Sequence, residues 1–460
     1  MAPLKNAIVN LFKGNHASNA PTRQDLWFLP LGGTGEIGMN ANLYGHHDQW
    51  LLVDCGVGFD DTGTRRYLPD TRFIEEQSEK LQAIVITHGH QDHIGALAQL
   101  WPLLKAPIYA TPFAAAILRQ SFARNNSEMD LPIKEIVFNQ DYHFGAFSVR
   151  WMPIPHSIPE ASALLIETRA GRVLHSGDWR FDASPVIHSS FNQRDFKQLQ
   201  KPPIDAMISD STNATKQTSN ASEGELFTDL KEVISQQPGR VVVSCFSTNI
   251  SRIITIARVA QSLNKKCALL GRSIEDMQSI AKRLGYWPED LSLINPHHIG
   301  YLPANEVVVI ATGSQGEPNA ALQKLLMQRH RLLYLEAGDT VIYSAIRIPV
   351  NEPRIIKQMQ AFEAIGMNVI HADDAIANGL KLHASGHANV EDIKKLYQLV
   401  RPQLLVPTHG EPHHMADNAT LASHCGIEQV LTGYDGDLFK LKPFAGKVEH
   451  FVKVEPLLLE

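Results

Sequence analysis

Apolar residues in this chain gather into short, β-branched runs that end in polar turns rich in metal-binding side chains. Ala83-Ile84-Val85-Ile86 predicts a buried strand, and Thr87 leads from it into His88-Gly89-His90-Gln91-Asp92-His93. Val149-Arg150-Trp151-Met152 precedes Pro155-His156-Ser157, and Arg172-Val173-Leu174 precedes His175-Ser176-Gly177-Asp178. Leu404-Leu405-Val406-Pro407 likewise runs into Thr408-His409-Gly410-Glu411. About 230 residues separate Asp178 from His409, far more than a βαβ crossover needs, which predicts an inserted domain. Within it, strands at Gly239–Phe246 and Glu306–Ile310 alternate with helical spacing over Ile250–Leu263, so the insert reads as α/β.

The chemistry sits at the strand ends. Imidazoles and carboxylates without a nearby thiolate suit a catalytic divalent ion with open positions rather than a closed structural zinc site. One loop cannot complete two coordination spheres, so His156, Asp178 and His409 are the expected distant partners of His88, His90, Asp92 and His93. Gly33-Thr34-Gly35-Glu36-Ile37-Gly38 fits a dinucleotide fingerprint formally. The residues after it, Met39-Asn40-Ala41-Asn42-Leu43-Tyr44-Gly45, read as a strand instead of the required helix. A tight hairpin near the metal site is expected there.

This ordered set, with Asp54 of Leu52-Val53-Asp54-Cys55-Gly56 beneath it, resembles the metallo-β-lactamase superfamily. The resemblance implies an α/β fold, an αββα sandwich around an eight-strand core. It also implies two divalent metal ions, zinc in the first place and Mn2+ or Mg2+ as alternatives. His88, His90 and His156 would hold one ion, Asp92, His93 and His409 the other, and Asp178 would bridge them, with Asp54 and Glu411 supporting the ligands from behind. Asp210 in Ser209-Asp210-Ser211-Thr212-Asn213, His387 in Ser385-Gly386-His387-Ala388 and His409 match three successive β-CASP motifs. Phe246-Ser247-Thr248-Asn249, Gly271-Arg272-Ser273 and Ala311–Pro318 narrow the resemblance to the ribonuclease J family. Its domain limits would be an N-terminal extension at 1–22, the lactamase domain at 23–210 and 353–445, the β-CASP domain at 211–352 and a tail at 446–460.

That family implies hydrolysis of RNA phosphodiester bonds with 5′-phosphate products. Asp92, Asp210 and His387 are the catalytic candidates: Asp92 would orient the attacking water or take its proton, and His387 would assist the leaving 3′-oxygen. Ser247, Asn249, Ser385, Gly386 and Ala388 are candidates for a pocket that binds the 5′-monophosphate of single-stranded RNA, which implies 5′-to-3′ exonuclease action with endonuclease action as a second mode. Ser247 and Asn249 are equally placed to cap the helix that follows. Two other classes stay open: a metallo-hydrolase of small esters, lactones or thioesters on the same fold, and a non-catalytic RNA-binding or assembly component.

A net charge of −6 does not favour a polyanionic partner, so a basic groove would have to be local; Arg65, Arg66, Arg252, Arg272, Lys265 and Lys266 could line it. The scattered cysteines Cys55, Cys245, Cys267 and Cys425 fit unpaired thiols in a cytoplasmic setting. No apolar run approaches the roughly 20 residues that span a bilayer, so stable membrane association is not expected. On this resemblance the family's usual C-terminal domain of about a hundred residues is expected to be missing after Glu460, which would leave homodimer assembly and endonuclease action without their usual support. Pro412-His413-His414 replaces the aromatic and arginine common in the family, which opens the contacts near His409 to change.

Overall fold

The structure is a computed structural model that describes residues 20–60, 65–125, 131–187, 191–218 and 221–459; the extension expected at 1–22 lies almost wholly outside the described residues. Two large sheets face each other. The first runs, in spatial order, Gly446–Val448, Leu438–Lys442, Leu26–Gly32, Ala41–His46, Gln49–Val53, Leu81–Val85, Ile108–Ala110 and Ile133–Glu135. The second runs Gln429–Val430, Leu404–Thr408, Ala206–Asp210, Arg172–His175, Ser162–Glu167, Phe147–Pro153 and Asp141–Phe144. The expected eight-strand core is thus an under-count. Short edge strands such as Gln429–Val430 and Gly446–Val448 carry too few apolar residues to register as runs.

Strand periodicity explains how the layers stack. Leu26 and Phe28 point between the sheets, where Tyr44, Leu51, Val53 and Val85 meet Val149, Trp151, Leu164, Ile166 and Val406. Their neighbours Trp27, Leu29 and Leu31 point the other way, into an outer helical layer. Strands buried on both faces read as continuous apolar runs, which is why the pattern was legible. Beyond the second sheet, Gln193–Gln198, Val390–Val400 and Pro412–His424 form the opposite helical layer and bury Phe196, Ile393, Leu396 and Ala422. Trp151 ties the two sheets where the first ligand-bearing strand ends, its indole N–H donating to Ile86 O at 2.8 Å.

The insert is a separate parallel sheet, ordered Lys266–Leu270, Val307–Ala311, Val241–Ser244, Thr340–Tyr343 and Asn368–His371. Its last strand lies beyond residue 352, the limit expected from sequence, because Glu352–Ala364 is a helix that packs Ile355 and Phe362 into the same core. Glu160 fastens the two bodies together. One carboxylate oxygen accepts the Phe113 N–H at 2.6 Å, and the other accepts the Tyr286 hydroxyl at 2.6 Å. Among the described residues, no helix is long and apolar enough to cross a membrane.

Candidate metal centre

Gln49–Val53 and Leu81–Val85 pair in parallel and finish side by side. Asp54 follows the first at φ 61°, a left-handed turn that aims its fully buried carboxylate across the end of the second. There it accepts the Thr87 N–H at 2.8 Å and the Thr87 hydroxyl at 2.7 Å, and lies 2.7 Å from His93 Nδ1. Gly56 lets the chain pass beneath: a Cβ there would lie 1.7 Å from Asp92 O.

The Gly33–Gly38 run connects antiparallel strands and opens no helix, but its hairpin is wider than the tight turn expected. It spans 33–40 because it reaches two parts of the centre. Gly33 O accepts the His409 N–H at 2.6 Å, and the Asn40 N–H donates to Asp92 O at 2.8 Å. The Asn40 amide nitrogen lies 3.1 Å from both His93 Nε2 and His409 Nδ1.

Two groups of ligand atoms result, each with all members within 4.8 Å of one another: His88, His90, His156 and Asp178, and Asp92, His93, Asp178 and His409. Asp178 belongs to both. Its Oδ2 lies 3.8 Å from His88 Nε2, 3.8 Å from His156 Nε2 and 3.2 Å from His93 Nε2, while Oδ1 lies 3.1 Å from His409 Nδ1. A third group joins Asp178 to Asp210 and His387. His387 Nδ1 lies 2.9 Å from Asp210 Oδ2, and Asp210 Oδ1 is fixed by the Thr212 N–H (2.9 Å) and hydroxyl (2.8 Å). That leaves His387 Nε2 facing Asp178 at 3.9 Å.

The electrostatics separate the groups. Burial holds His88 and His156 well below the ordinary imidazole range and His90 at about 4, which keeps them neutral and able to donate lone pairs. Burial also opposes charge on His93 and His409, but Asp178 outweighs it, lifting His93 well above its ordinary value and His409 to about 9. Burial alone would raise the Asp178 carboxyl; His409 and His93 hold it well below the carboxylate range instead.

A divalent ion fits these donors. His88 Nε2 and His156 Nε2 converge on His90 Nδ1 at 3.0 and 3.1 Å, an arrangement of neutral imidazoles that a shared cation satisfies. His409 Nε2 is buried with no hydrogen-bond partner among the described residues, and such an orphaned atom costs free energy unless something binds it. Imidazole with carboxylate is a donor set that suits zinc.

Three family models match successive parts of the chain: the metallo-beta-lactamase superfamily over 35–213, the ribonuclease J beta-CASP domain over 238–362, and the Zn-dependent metallo-hydrolase RNA specificity domain over 381–431. Ribonuclease J of Sinorhizobium meliloti is 38% identical over 92% of this chain and 76% of its own length. This chain belongs to the ribonuclease J family. Ribonuclease J of Mycolicibacterium smegmatis is 34% identical over 88% of the chain and 73% of that relative. A solved structure of a protein of unknown function from Enterococcus faecalis V583 shares the fold, with a TM-score of 0.61 at 16% identity, covering 90% of this chain and all of that one. Membership makes the chain, by family, a metal-dependent ribonuclease with a metallo-β-lactamase fold and an inserted β-CASP domain.

Several site expectations carried over from the ribonuclease J pattern meet a different structure. Asn249 is 4% exposed, caps the Ile250–Ser262 helix by accepting the Arg252 N–H at 2.9 Å, and donates to Glu223 at 3.1 Å. Its polar atoms are committed to the insert, not to a phosphate. Ala388 packs at 2% exposure in the core of the second helical layer. Glu411 is no support for the ligands: it opens the Pro412–His424 helix with its carboxylate 55% exposed and 3.5 Å from His413. Arg252 cannot line a groove, since it is 1% exposed and pairs with Glu223 at 2.9 Å.

Ser385 and Gly386 do lie beside the centre. Ser385 Oγ accepts from Asn213 Nδ2 at 2.7 Å, and Gly386 O receives His156 Nδ1 at 2.6 Å; a Cβ on Gly386 would lie 2.8 Å from the His156 ring. Ser247 sits half-buried in the loop before the Ile250–Ser262 helix. Sequence reasoning assigned no role to Asn40, Thr87, Arg180 or Thr248. Only Thr248 stood inside a recognised motif, Phe246-Ser247-Thr248-Asn249, which marked the segment but not the atom.

Proposed function

We propose that this enzyme hydrolyses RNA phosphodiester bonds chiefly as a 5′-to-3′ exonuclease on single-stranded RNA bearing a 5′-monophosphate, in the cytoplasm, leaving 5′-phosphate products, with endonucleolytic cleavage as a secondary mode. One observation carries the reading: Asp178 is shared by two complete donor groups and also faces His387. His88, His90 and His156 are the ligands assigned to one ion, Asp92, His93 and His409 to the other, with Asp178 common to both. Bound there, two divalent ions, zinc by donor set with Mn2+ or Mg2+ as alternatives, supply an acidified water and offset charge on the attacking and leaving oxygens.

The chain's own groups divide the remaining work. Asp92 is 31% exposed and lies 3.7 Å from His93 Nε2 and 3.8 Å from His409 Nε2, so it is the ligand carboxylate placed to orient water or take its proton. Burial opposes a charge on His387, but the Asp210 and Asp178 carboxylates outweigh it and raise its pKa. With Nδ1–H held by Asp210, the imidazolium directs Nε2–H into the centre, where it protonates the departing 3′-oxygen. Ser247, the Ser385 hydroxyl hydrogen and the backbone around Gly386 are the groups assigned to the terminal phosphate.

A time course on end-labelled RNA carrying a 5′-monophosphate or a 5′-triphosphate, with matched DNA, tests the reading. Mononucleotide release selective for the monophosphate is expected. Internal fragments from both RNAs would replace the exonuclease assignment, and turnover of small esters without RNA cleavage would replace the substrate class.

A further inference from the structure

The outer nitrogens of the candidate ligands are not all held by the same body. His93 Nδ1 meets Asp54 at 2.7 Å and His88 Nδ1 meets the Thr87 hydroxyl at 3.0 Å, both within the two-sheet body. His156 Nδ1 meets Gly386 O at 2.6 Å, just beyond the insert. His90 differs. Its Nδ1 faces His88 and His156, and its Nε2 lies 3.1 Å from the Thr248 hydroxyl of the inserted domain.

We infer that Thr248 is a positioning residue for the metal centre: through its hydrogen bond to His90 the inserted domain sets the orientation of that ring. The inference rests on His88, His90 and His156 holding a metal. An imidazole that gives its Nδ1 lone pair to an ion carries its hydrogen on Nε2 and must donate it, and the Thr248 hydroxyl oxygen is the acceptor in place. Thr248 is held firmly enough to act in this way. It lies in the turn between Val241–Ser244 and Ile250–Ser262, where the Asn249 N–H donates to Phe246 O at 3.1 Å and the Ile250 N–H donates to Thr248 O at 3.0 Å. Behind it, the buried Glu223–Arg252 pair accepts from Asn249 and binds Ser344 O at 2.7 Å, so the loop moves with the insert rather than by itself. Bonds of this kind to a ligand's outer nitrogen change metal affinity by about 10–100-fold when removed. Seating of the insert and occupancy of the His88–His90–His156 group are therefore linked, and the linkage is reciprocal.

The test is metal content and affinity of the full chain, measured by competition of Zn2+ with a chromophoric chelator. Wild type is compared with Thr248→Val, which keeps the shape and removes the acceptor, and Thr248→Ser, which restores it. Thr248→Val is expected to bind one of two Zn2+ about 10–100-fold more weakly, with Thr248→Ser close to wild type and the thermal midpoints of the metal-free proteins unchanged. Hydrogen exchange supplies the reverse reading: Zn2+ should slow exchange of amides 246–252 in wild type and in Thr248→Ser, but less in Thr248→Val. Two Zn2+ bound by Thr248→Val with wild-type affinity would overturn the inference while leaving the metal assignment standing. Wild type that binds no Zn2+ would instead remove the metal assignment itself.

Discussion

The two halves of the candidate centre differ in what braces them. His93 and His409 are held by Asp54, Asn40 and Gly33, all within the two-sheet body, where strand ends and their turns fix the geometry as the core packs. His90 and His156 lean instead on Thr248 and on Gly386, at one loop of the insert and just past its end. Their electrostatics differ in parallel: His93 and His409 gain proton affinity from Asp178, while His88, His90 and His156 lose it to burial. One half is thus held by the core fold alone, and the other takes one contact, His90 to Thr248, from the second domain.

The most severe way to break this comparison is Asp178→Ala, because the two halves share that carboxylate. Loss of both ions from the purified protein and a fall in RNA cleavage of at least about a thousandfold are expected, the scale of several kcal/mol of metal-derived stabilisation. Retention of two ions would show that the halves fill independently. His387→Ala should leave the metal content intact and lower kcat by about 10²–10⁴-fold, the usual range for a lost general acid. Its pH profile carries a sign. The His387 pKa is raised, so the active imidazolium persists above the ordinary imidazole value and is lost as pH rises through the raised one. An alkaline limb in kcat is expected above pH ~6.5, moved to lower pH in Asp210→Asn and absent in His387→Ala.

Much of this architecture was legible because strands buried on both faces leave unbroken apolar runs, and the ligands follow directly where those runs stop. Asp54, His88, Asp178 and His409 all lie within three residues of a strand end. The bracing that joins the bodies was not legible. His90 and Thr248 are 158 positions apart, and His156 and Gly386 are 230 apart, so no local pattern encodes either pair. The same blindness placed Arg252 in an RNA groove: an arginine reads as surface until its buried partner Glu223, 29 positions away, is seen. At Asn249 the alternative reading prevailed, because Asn before a helical run is both a phosphate-loop residue and an ordinary cap.

Asp54→Asn sharpens the comparison from the core side. It keeps the shape but weakens the hold on His93, and a loss of about 10–100-fold in affinity for one Zn2+ is expected by chelator competition. Combined with Thr248→Val, the losses should fall on different ions. If both variants weaken the same ion, the two-halves description fails. The smallest effect belongs to Glu411→Gln. This exposed carboxylate lies against the exposed His413, so kcat/KM and metal affinity should change less than about twofold; a larger loss would return Glu411 to the centre.

Gly386 has one further consequence. Its carbonyl meets His156, a Cβ on it would strike the same ring, and the adjoining backbone is clamped at Ser385 O by Arg180 (2.7 Å) and at Ala384 O by Arg252 (3.4 Å). On this side His156 is therefore positioned by backbone rather than by a rotamer, and any residue larger than glycine at 386 should displace the ring whichever rotamer it takes.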